Sequence, residues 1–519
     1  MRIRPRRIPA SPVLLLLLAG GVLAGCGPGA PAAGSGLPDA SVASWEWPTY
    51  AHDAQRTGAG VTTLTSVTVK TLAPAWTFPT GDAVTATPTV VAGTVYAGSW
   101  DGWFYAVSLA TGKLRWKFEL QRQDAVTPNA RRATRDISSD GGLVTSSAWY
   151  EPGSGSRPDL VIFGGGYTLY ALDARTGRLD WKHDYTGTPG RPPDPAHDGT
   201  RIFSSPVVAE GKVVFGVDTD GGADTRGYVV AASLDNGNPV WTYQTDVNAQ
   251  GQVANDGCGG VWSSGTVLPS AHLVVFNTAD CKFSNPPPLA ETVFALHLAT
   301  GTLAWDFRPP RADDHCDQDF GATANAGIDP AGRAAFLGVG GKDGTYYSLD
   351  PATGRLRWST NVVFGGFAGG FIASAAYDGH RVYGATALGD YGRFEGAGEV
   401  FCDPSNPRDT PTQEPSVHAF SAGSGAVAWE EKGAASFAST TVAGAMTFNC
   451  PAFGAVVQVR AASTGALLDQ AALPATCWSG IATVGDALVL GTGSSAQGAP
   501  DGIVALTPGG KDPVTPTVP

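Results

Sequence analysis

The chain has 519 residues, 43% of them hydrophobic and only 15% charged, with 69 Gly, 38 Pro and a formal net charge of −12. So acidic a balance argues against a nucleic-acid partner and against broad electrostatic adhesion to anionic lipid. Seven cysteines and scattered histidines offer no Cys-x-x-Cys zinc spacing, no Cys-x-x-Cys-His haem attachment and no Gly-x-Ser-x-Gly hydrolase elbow.

Residues 1–25 read as an export signal. Arg2, Arg4, Arg6 and Arg7 precede an apolar run over residues 13–23. That run is shorter than the ~20 residues a bilayer span requires. It ends in Leu23-Ala24-Gly25-Cys26, which resembles the bacterial lipobox, whose cysteine is lipidated and becomes the new N-terminus. The expectation is an exported protein held on a membrane through Cys26, at the cell surface or on the periplasmic side. Loss of those four arginines, with no acidic residue among residues 1–25, takes the net charge from −12 to −16. Attachment then rests on the lipid. Residues 26–44 are rich in Gly, Ala, Pro and Ser and read as a flexible tether.

From residue 45 to 510 one unit recurs. Its template, residues 84–120, has short alternating apolar runs, a Gly-Asp-rich turn, then Thr111-Gly112 leading to Trp116. Period-2 runs broken by Gly, Asp and Ser are strand signals, and the Thr-Gly pair suits a tight hairpin. The ending returns before Trp181, Trp241, Trp305, Trp358 and Trp429, with Asp469 in the last such slot and an isolated first slot at Trp76. A four-stranded unit of ~40 residues buries neither face alone, so copies must stack, and a closed ring removes their open edges. Eight intervals follow Trp76, and the last lacks an outer strand. The expected fold is therefore all-β: an eight-bladed β-propeller closed by an N-terminal strand around Trp76, monomeric, with a disordered tail over 511–519. Each tryptophan is expected to plug the gap between neighbouring blades.

Six cysteines lie beyond the signal, and an even number in an exported chain suggests disulfides. Cys258 with Cys281 and Cys450 with Cys477 each flank one hairpin, which leaves Cys316 with Cys402. The longer units place their extra residues in Pro/Gly/Asp-rich pieces at 121–140, 186–200, 218–226, 280–291, 309–318 and 389–416. Such insertions collect on one face, usually the ligand-binding one. Small residues such as Ser204, Ser205, Ser263 and Ser264 mark the innermost strands and suit a crowded central channel. Phe203, Trp262, Phe320, Phe371, Phe437 and Trp478 precede several of these pairs. They serve either as a stacking platform for a flat ligand or as ordinary blade packing.

Three stretches carry the candidate chemistry: DGCGGVWSS (256–264), DDHCDQDF (313–320) and GVGGKDGTYYSL (338–349). Crowded carboxylates beside a cation are what a metal site or a general base requires; a solvated acidic loop is the plainer reading of the second stretch. The repeat, Ala-x-x-x-x-x-Thr-Gly-x-x-x-Trp over eight units, resembles the pyrroloquinoline-quinone (PQQ) repeat family. That family includes quinoprotein alcohol dehydrogenases, polyvinyl-alcohol dehydrogenases and a non-catalytic lipoprotein scaffold of outer-membrane barrel assembly. The resemblance implies that Trp262 stacks on the quinone and that Asp319 is the catalytic base. It also implies that Lys342 contacts the quinone oxygens, that Ser204 and Ser205 give hydroxyl contacts and that Arg201 meets a PQQ carboxylate. Calcium would be held by Asp319 and Asp280, and Gly321, two residues after Asp319, favours calcium over a lanthanide. The chain departs from the family pattern in four places. Gln318 replaces a Trp, Asp280 replaces an Asn, the calcium-ligand Glu has no match near 222–227 except Asp220 or Asp224, and the adjacent Cys-Cys pair is missing. Two functions follow as expectations. One is a PQQ- and calcium-dependent oxidation of an alcohol or polyol; the other is a non-catalytic propeller that binds a protein or glycan.

Overall fold

The computed structural model describes residues 45–120, 144–185, 201–218, 226–247, 258–280, 288–310, 318–363, 365–366, 369–387, 416–432, 435–494 and 502–514. Its strands form eight sheets arranged as an eight-bladed propeller, antiparallel except where Ala59–Gly60 adds in parallel to Thr441–Ala443. From blade 1 to blade 8 the innermost strands are Thr89–Val91, Trp149–Glu151, Val207–Ala209, Thr266–Leu268, Asn325–Ile328, Ala376–Tyr377, Thr441–Ala443 and Ile481–Val484. Blade 8 draws its outer strand from the other end of the chain: Leu72–Pro79 pairs with Gly502–Pro508, setting Trp76 opposite Ala505. The closure expected from the Trp76 slot is thus present. Of residues 511–519, the structure describes 511–514, where Val514 exchanges hydrogen bonds with Asp486.

The core is a series of wedges between blades. Leu160 and Ile162 of blade 2 pack on Val213 and Phe215 of blade 3, and comparable clusters join the other neighbours. The tryptophan repeat works at the rim of each wedge. Trp116 donates its indole N–H to Ala174 O of the next blade at 3.0 Å. Gly177 lies against its ring, where a Cβ would come within 2.5 Å. The same contact joins Trp76 to Gly112, Trp181 to Gly237, Trp241 to Gly301, Trp305 to Gly354, Trp358 to Gly425 and Trp429 to Gly465. Those glycines also hold φ near +70°. Glycine is thus required twice over, for the left-handed turn and for the neighbour's ring. Seven junctions are sealed this way. The eighth, between blades 7 and 8, has Asp469 in the tryptophan slot, and there the expected Cys450–Cys477 disulfide joins the two blades. Cys258 is also disulfide-bonded, while Cys281, Cys316 and Cys402 lie outside the described residues.

Two further devices organise the axis. A belt of small hydroxyls laces the starts of the innermost strands together from blade 2 to blade 6. Ser147 N–H donates to Ser205 Oγ (3.0 Å), Ser205 N–H to Ser264 Oγ (2.9 Å), Ser264 N–H to Thr323 Oγ1 (3.0 Å) and Thr323 N–H to Ser374 Oγ (2.9 Å). On one side of this belt, residues 47–63 form a strap that bonds every blade in turn. Trp47 pairs with Val90, and Pro48 O accepts from Tyr150. Ala54, Gln55, Thr57 and Gly58 carbonyls accept from Val267, Ala326, Tyr377 and Val442, and Thr63 N–H reaches Gly485 O. Arg56, fully buried, supplies the blade 3 contacts. It spends its donors on Gly265 O, Thr49 Oγ1, Tyr50 O, Ser205 O and Pro206 O. The strap closes one side of the axis.

Candidate functional site

The opposite end of the axis is where each innermost strand begins and each second strand ends, because the two run antiparallel. The chain leaves and re-enters the described residues at that end around the sequence insertions, as at 120 and 144, 185 and 201, and 310 and 318. Ligand-binding side chains are therefore sought here.

Trp262 stands two residues before the belt serine Ser264 and is half-buried. A clamp fixes the turn before it. Thr245 Oγ1 donates to Gly259 O (2.5 Å), Ala279 N–H to Gly260 O (2.8 Å) and Val261 N–H to Val217 O (3.1 Å). Gly227 packs so tightly on Gly259 that a Cβ would come 1.9 Å from its carbonyl oxygen. Behind the clamp, Arg226 pairs bidentately with the fully buried Asp246. In blade 5, Gly321 touches the edge of the Trp262 ring, where a Cβ would lie 2.5 Å from Cη2. Glycine stands two residues after Asp319 for that steric reason.

Asp319 and Lys342, 2% and 5% exposed, form an ion pair with Nζ 2.8 Å from Oδ1. The other carboxylate oxygen, Oδ2, accepts the main-chain N–H of Asp280 at 3.1 Å. Lys342 Nζ lies 5.8 Å from the centroid of the Trp262 ring. The three residues expected to act together, from blades 4 and 5, are thus brought together. Two supports escaped sequence reasoning. Asn277 of blade 4 donates through Nδ2 to Phe320 O (2.8 Å) and Ala322 O (3.1 Å), pinning the backbone that carries Asp319. Gly365 and Gly370 leave room for the Lys342 carbonyl, 1.7 and 2.3 Å from where their Cβ atoms would be. The glycine-rich run over 364–370 was the available signal.

The remaining candidates divide. Ser204 Oγ is fully buried without a hydrogen-bond partner among the described residues. Ser205 Oγ instead accepts Ser147 N–H in the belt, so its first role is structural. Arg201 is half-buried, exchanges main-chain hydrogen bonds with Asp218 and holds Cζ 5.8 Å from the Phe203 ring centroid. The two readings of the six aromatics divide among them: Phe320 and Phe371 are 0% exposed and serve blade packing, whereas Phe203, Trp262, Phe437 and Trp478 are half-buried. The reason is register. Phe320 and Phe371 stand three residues before their belt hydroxyls (Thr323, Ser374), not two as Trp262 does, and a one-residue offset turns a side chain to the other face.

Of the two groups the family resemblance implies, the quinone fits these residues. A half-exposed indole face, a glycine cleared beside it, a buried cation and an unpaired hydroxyl suit a flat, oxygen-rich ligand. Calcium does not fit them. Both Asp319 oxygens are engaged by Lys342 and Asp280 N–H, and among the described residues no three His, Cys, Asp or Glu side chains cluster around a common point, Asp220 and Asp224 lying outside those residues. The Asp280/Asp319 pair is therefore a hydrogen-bonded link, and two acidic residues fall well short of calcium's usual 6–8 oxygen ligands.

Comparison with known proteins bears on the family and the fold. A family model described as the β-propeller domain of glucose/ethanol/alcohol dehydrogenases matches residues 47–363. A second, described as outer membrane protein assembly factor BamB, matches residues 342–511. A polyvinylalcohol dehydrogenase of Pseudomonas sp is 26% identical over 371 residues, covering 63% of this chain and 54% of its own. A quinohemoprotein alcohol dehydrogenase of Pseudomonas putida is 25% identical, covering 54% of this chain and 40% of its own. The chain spans about half the length of the curated relatives it matches. Among solved structures, the quinohemoprotein alcohol dehydrogenase from Comamonas testosteroni superimposes with a TM-score of 0.72 at 18% identity, covering 92% of this chain and 83% of that one. BamB from Moraxella catarrhalis does so with a TM-score of 0.53 at 15% identity, covering 84% and 99%. Both show the fold alone.

Proposed function

The chain belongs to the PQQ β-propeller family of glucose, ethanol and alcohol dehydrogenases, and from that premise we propose that it is a quinoprotein oxidoreductase acting on an alcohol or polyol. One observation carries the reading: Trp262, Asp319 and Lys342 meet at the end of the axis opposite the strap. Bound PQQ would supply a two-electron acceptor. Trp262 offers the flat face that holds such a ring, and Asp319 is the base positioned to take the hydroxyl proton of the alcohol. Lys342 compensates the Asp319 carboxylate and brings a cation to the seat, where developing negative charge is stabilised. Ser204 is a hydroxyl contact and Arg201 a carboxylate contact at the same rim. Export and membrane attachment through Cys26 complete the proposal, with the Cys450–Cys477 disulfide in keeping with an oxidising compartment. The protein is taken to act as a monomer.

The test is dye reduction by purified full-length protein supplied with PQQ, with and without calcium, across simple alcohols and polyols. The expected result is turnover that Asp319→Asn lowers by roughly 10²–10⁴-fold. No quinone binding and no turnover would end the reading. The match of residues 342–511 to the barrel-assembly model favours one other reading, a scaffold whose loop-bearing end binds a protein or glycan. That reading gains if Asp319→Asn and Lys342→Ala change nothing while deletion of 389–416 abolishes a pull-down partner.

A further inference from the structure

The propeller repeats one backbone contact that lets its blades be compared position by position. Four residues before each belt position, or its counterpart in another blade, a carbonyl accepts the N–H of the residue that follows the second strand. The couples are Ala83/Trp100, Arg201/Asp218, Gly260/Ala279, Asp319/Lys342, Gly370/Ala387, Ala435/Ala452 and Thr476/Gly493, at 2.7–2.9 Å. Only two of these seven described couples are charged. They are Arg201/Asp218 in blade 3 and Asp319/Lys342 in blade 5, and they flank the blade that bears Trp262. The order of charge is reversed between them. The two cations thus lie in the blades on either side of the one that bears Trp262, and Lys342 is paired with the carboxylate of its own couple.

We infer that the seat meets a flat anionic ligand with these two cations, Arg201 and Lys342, and needs no divalent metal to do so; this rests on the PQQ reading above. PQQ is a planar tricarboxylate, so its charge must be met by cations. Lys342 is held there by its 2.8 Å pair with Asp319 and by the close-packed glycines 365 and 370. The backbone at Arg201 is held by two-way main-chain pairing with Asp218, and its guanidinium lies over the Phe203 ring, Cζ 5.8 Å from the centroid. Asp319, the residue that would otherwise present a carboxylate to calcium, has one oxygen on the Lys342 ammonium and the other on Asp280 N–H. A metal entering here would have to share a buried carboxylate with a buried ammonium, against the repulsion between the two cations.

The test titrates PQQ into the full-length protein, following quenching of tryptophan fluorescence, once in EDTA and once in excess calcium. The dissociation constant is expected to agree within about 3-fold between the two buffers. Arg201→Gln and Lys342→Gln should each weaken binding by about 10-fold or more, as loss of a charge-assisted contact does. Arg201 is half-buried, so its variant is expected to fold, and a thermal melt of each variant separates lost binding from lost structure. Tightening by calcium of 10-fold or more overturns this inference and leaves the PQQ reading standing. So does an Arg201→Gln variant that binds like the parent. Absence of binding in both buffers removes the PQQ reading itself, and this inference with it.

Discussion

Replacing Lys342 by Met strands the Asp319 carboxylate at a site 2% exposed. At the observed 2.8 Å separation, the lost attraction is roughly 6 kcal/mol for an effective dielectric near 20. Relief of the lysine's own desolvation offsets part of that, and breaking a buried pair from one side costs about 3–5 kcal/mol in net terms. Asp280 N–H still serves Oδ2, so the lower half of that range is expected. Asp319→Asn should lose a comparable amount by stranding the ammonium. The double variant should fall short of the sum by at least ~2 kcal/mol, because neither charge is then left alone. Guanidinium unfolding at neutral pH, followed by tryptophan fluorescence on all four proteins, gives the cycle. Additivity within ~0.5 kcal/mol would refute the coupled pair as the organising feature of the site.

Three other outcomes follow from the structure. Burial lowers His418 from 6.5 to about 4, so its contribution to stability is complete above pH 6.5 and is lost as pH falls toward 4. That loss is roughly 3 kcal/mol; denaturation midpoints across this window should slope in the parent and flatten in His418→Gln. Gly321→Ala puts a Cβ 2.5 Å from Trp262 Cη2 and 3.2 Å from Ile372 Cα. Overpacking of this kind costs ~1–3 kcal/mol, and a shift in tryptophan emission with weaker quinone binding should accompany it; unchanged emission would contradict the ring contact. Changing Cys450 and Cys477 to Ser removes a cross-link of sequence separation 27, worth about 3.5 kcal/mol in the chain-entropy account. Reductant should destabilise the parent by about that much more than it destabilises the variant, in which the Cys258 disulfide is still there to be reduced.

The architecture was legible because side chains encode it. Each Thr-Gly turn and each tryptophan answers to a contact in the next blade, so counting slots counted blades, and the empty slot at Asp469 coincides with the junction that the disulfide holds. Trp262, Asp319 and Lys342 were legible through their likeness to family motifs in successive blades. The strap was not, because its bonds are almost all main-chain and leave no pattern; Arg56 looks like any loop arginine until five acceptors surround it. Nor did the sequence separate Phe320 from Trp262, since one residue of register decides which face a strand residue takes. Asn277 gave no sign of its role because it acts on carbonyls two strands away in the neighbouring blade.

The account stands most directly on where the quinone sits. A crystal structure of the full-length protein grown with PQQ should show planar density stacked on the Trp262 indole, with Lys342 and Arg201 at its oxygens. Density elsewhere on the propeller, or no quinone at saturating concentration at the end of the axis opposite the strap, would contradict it.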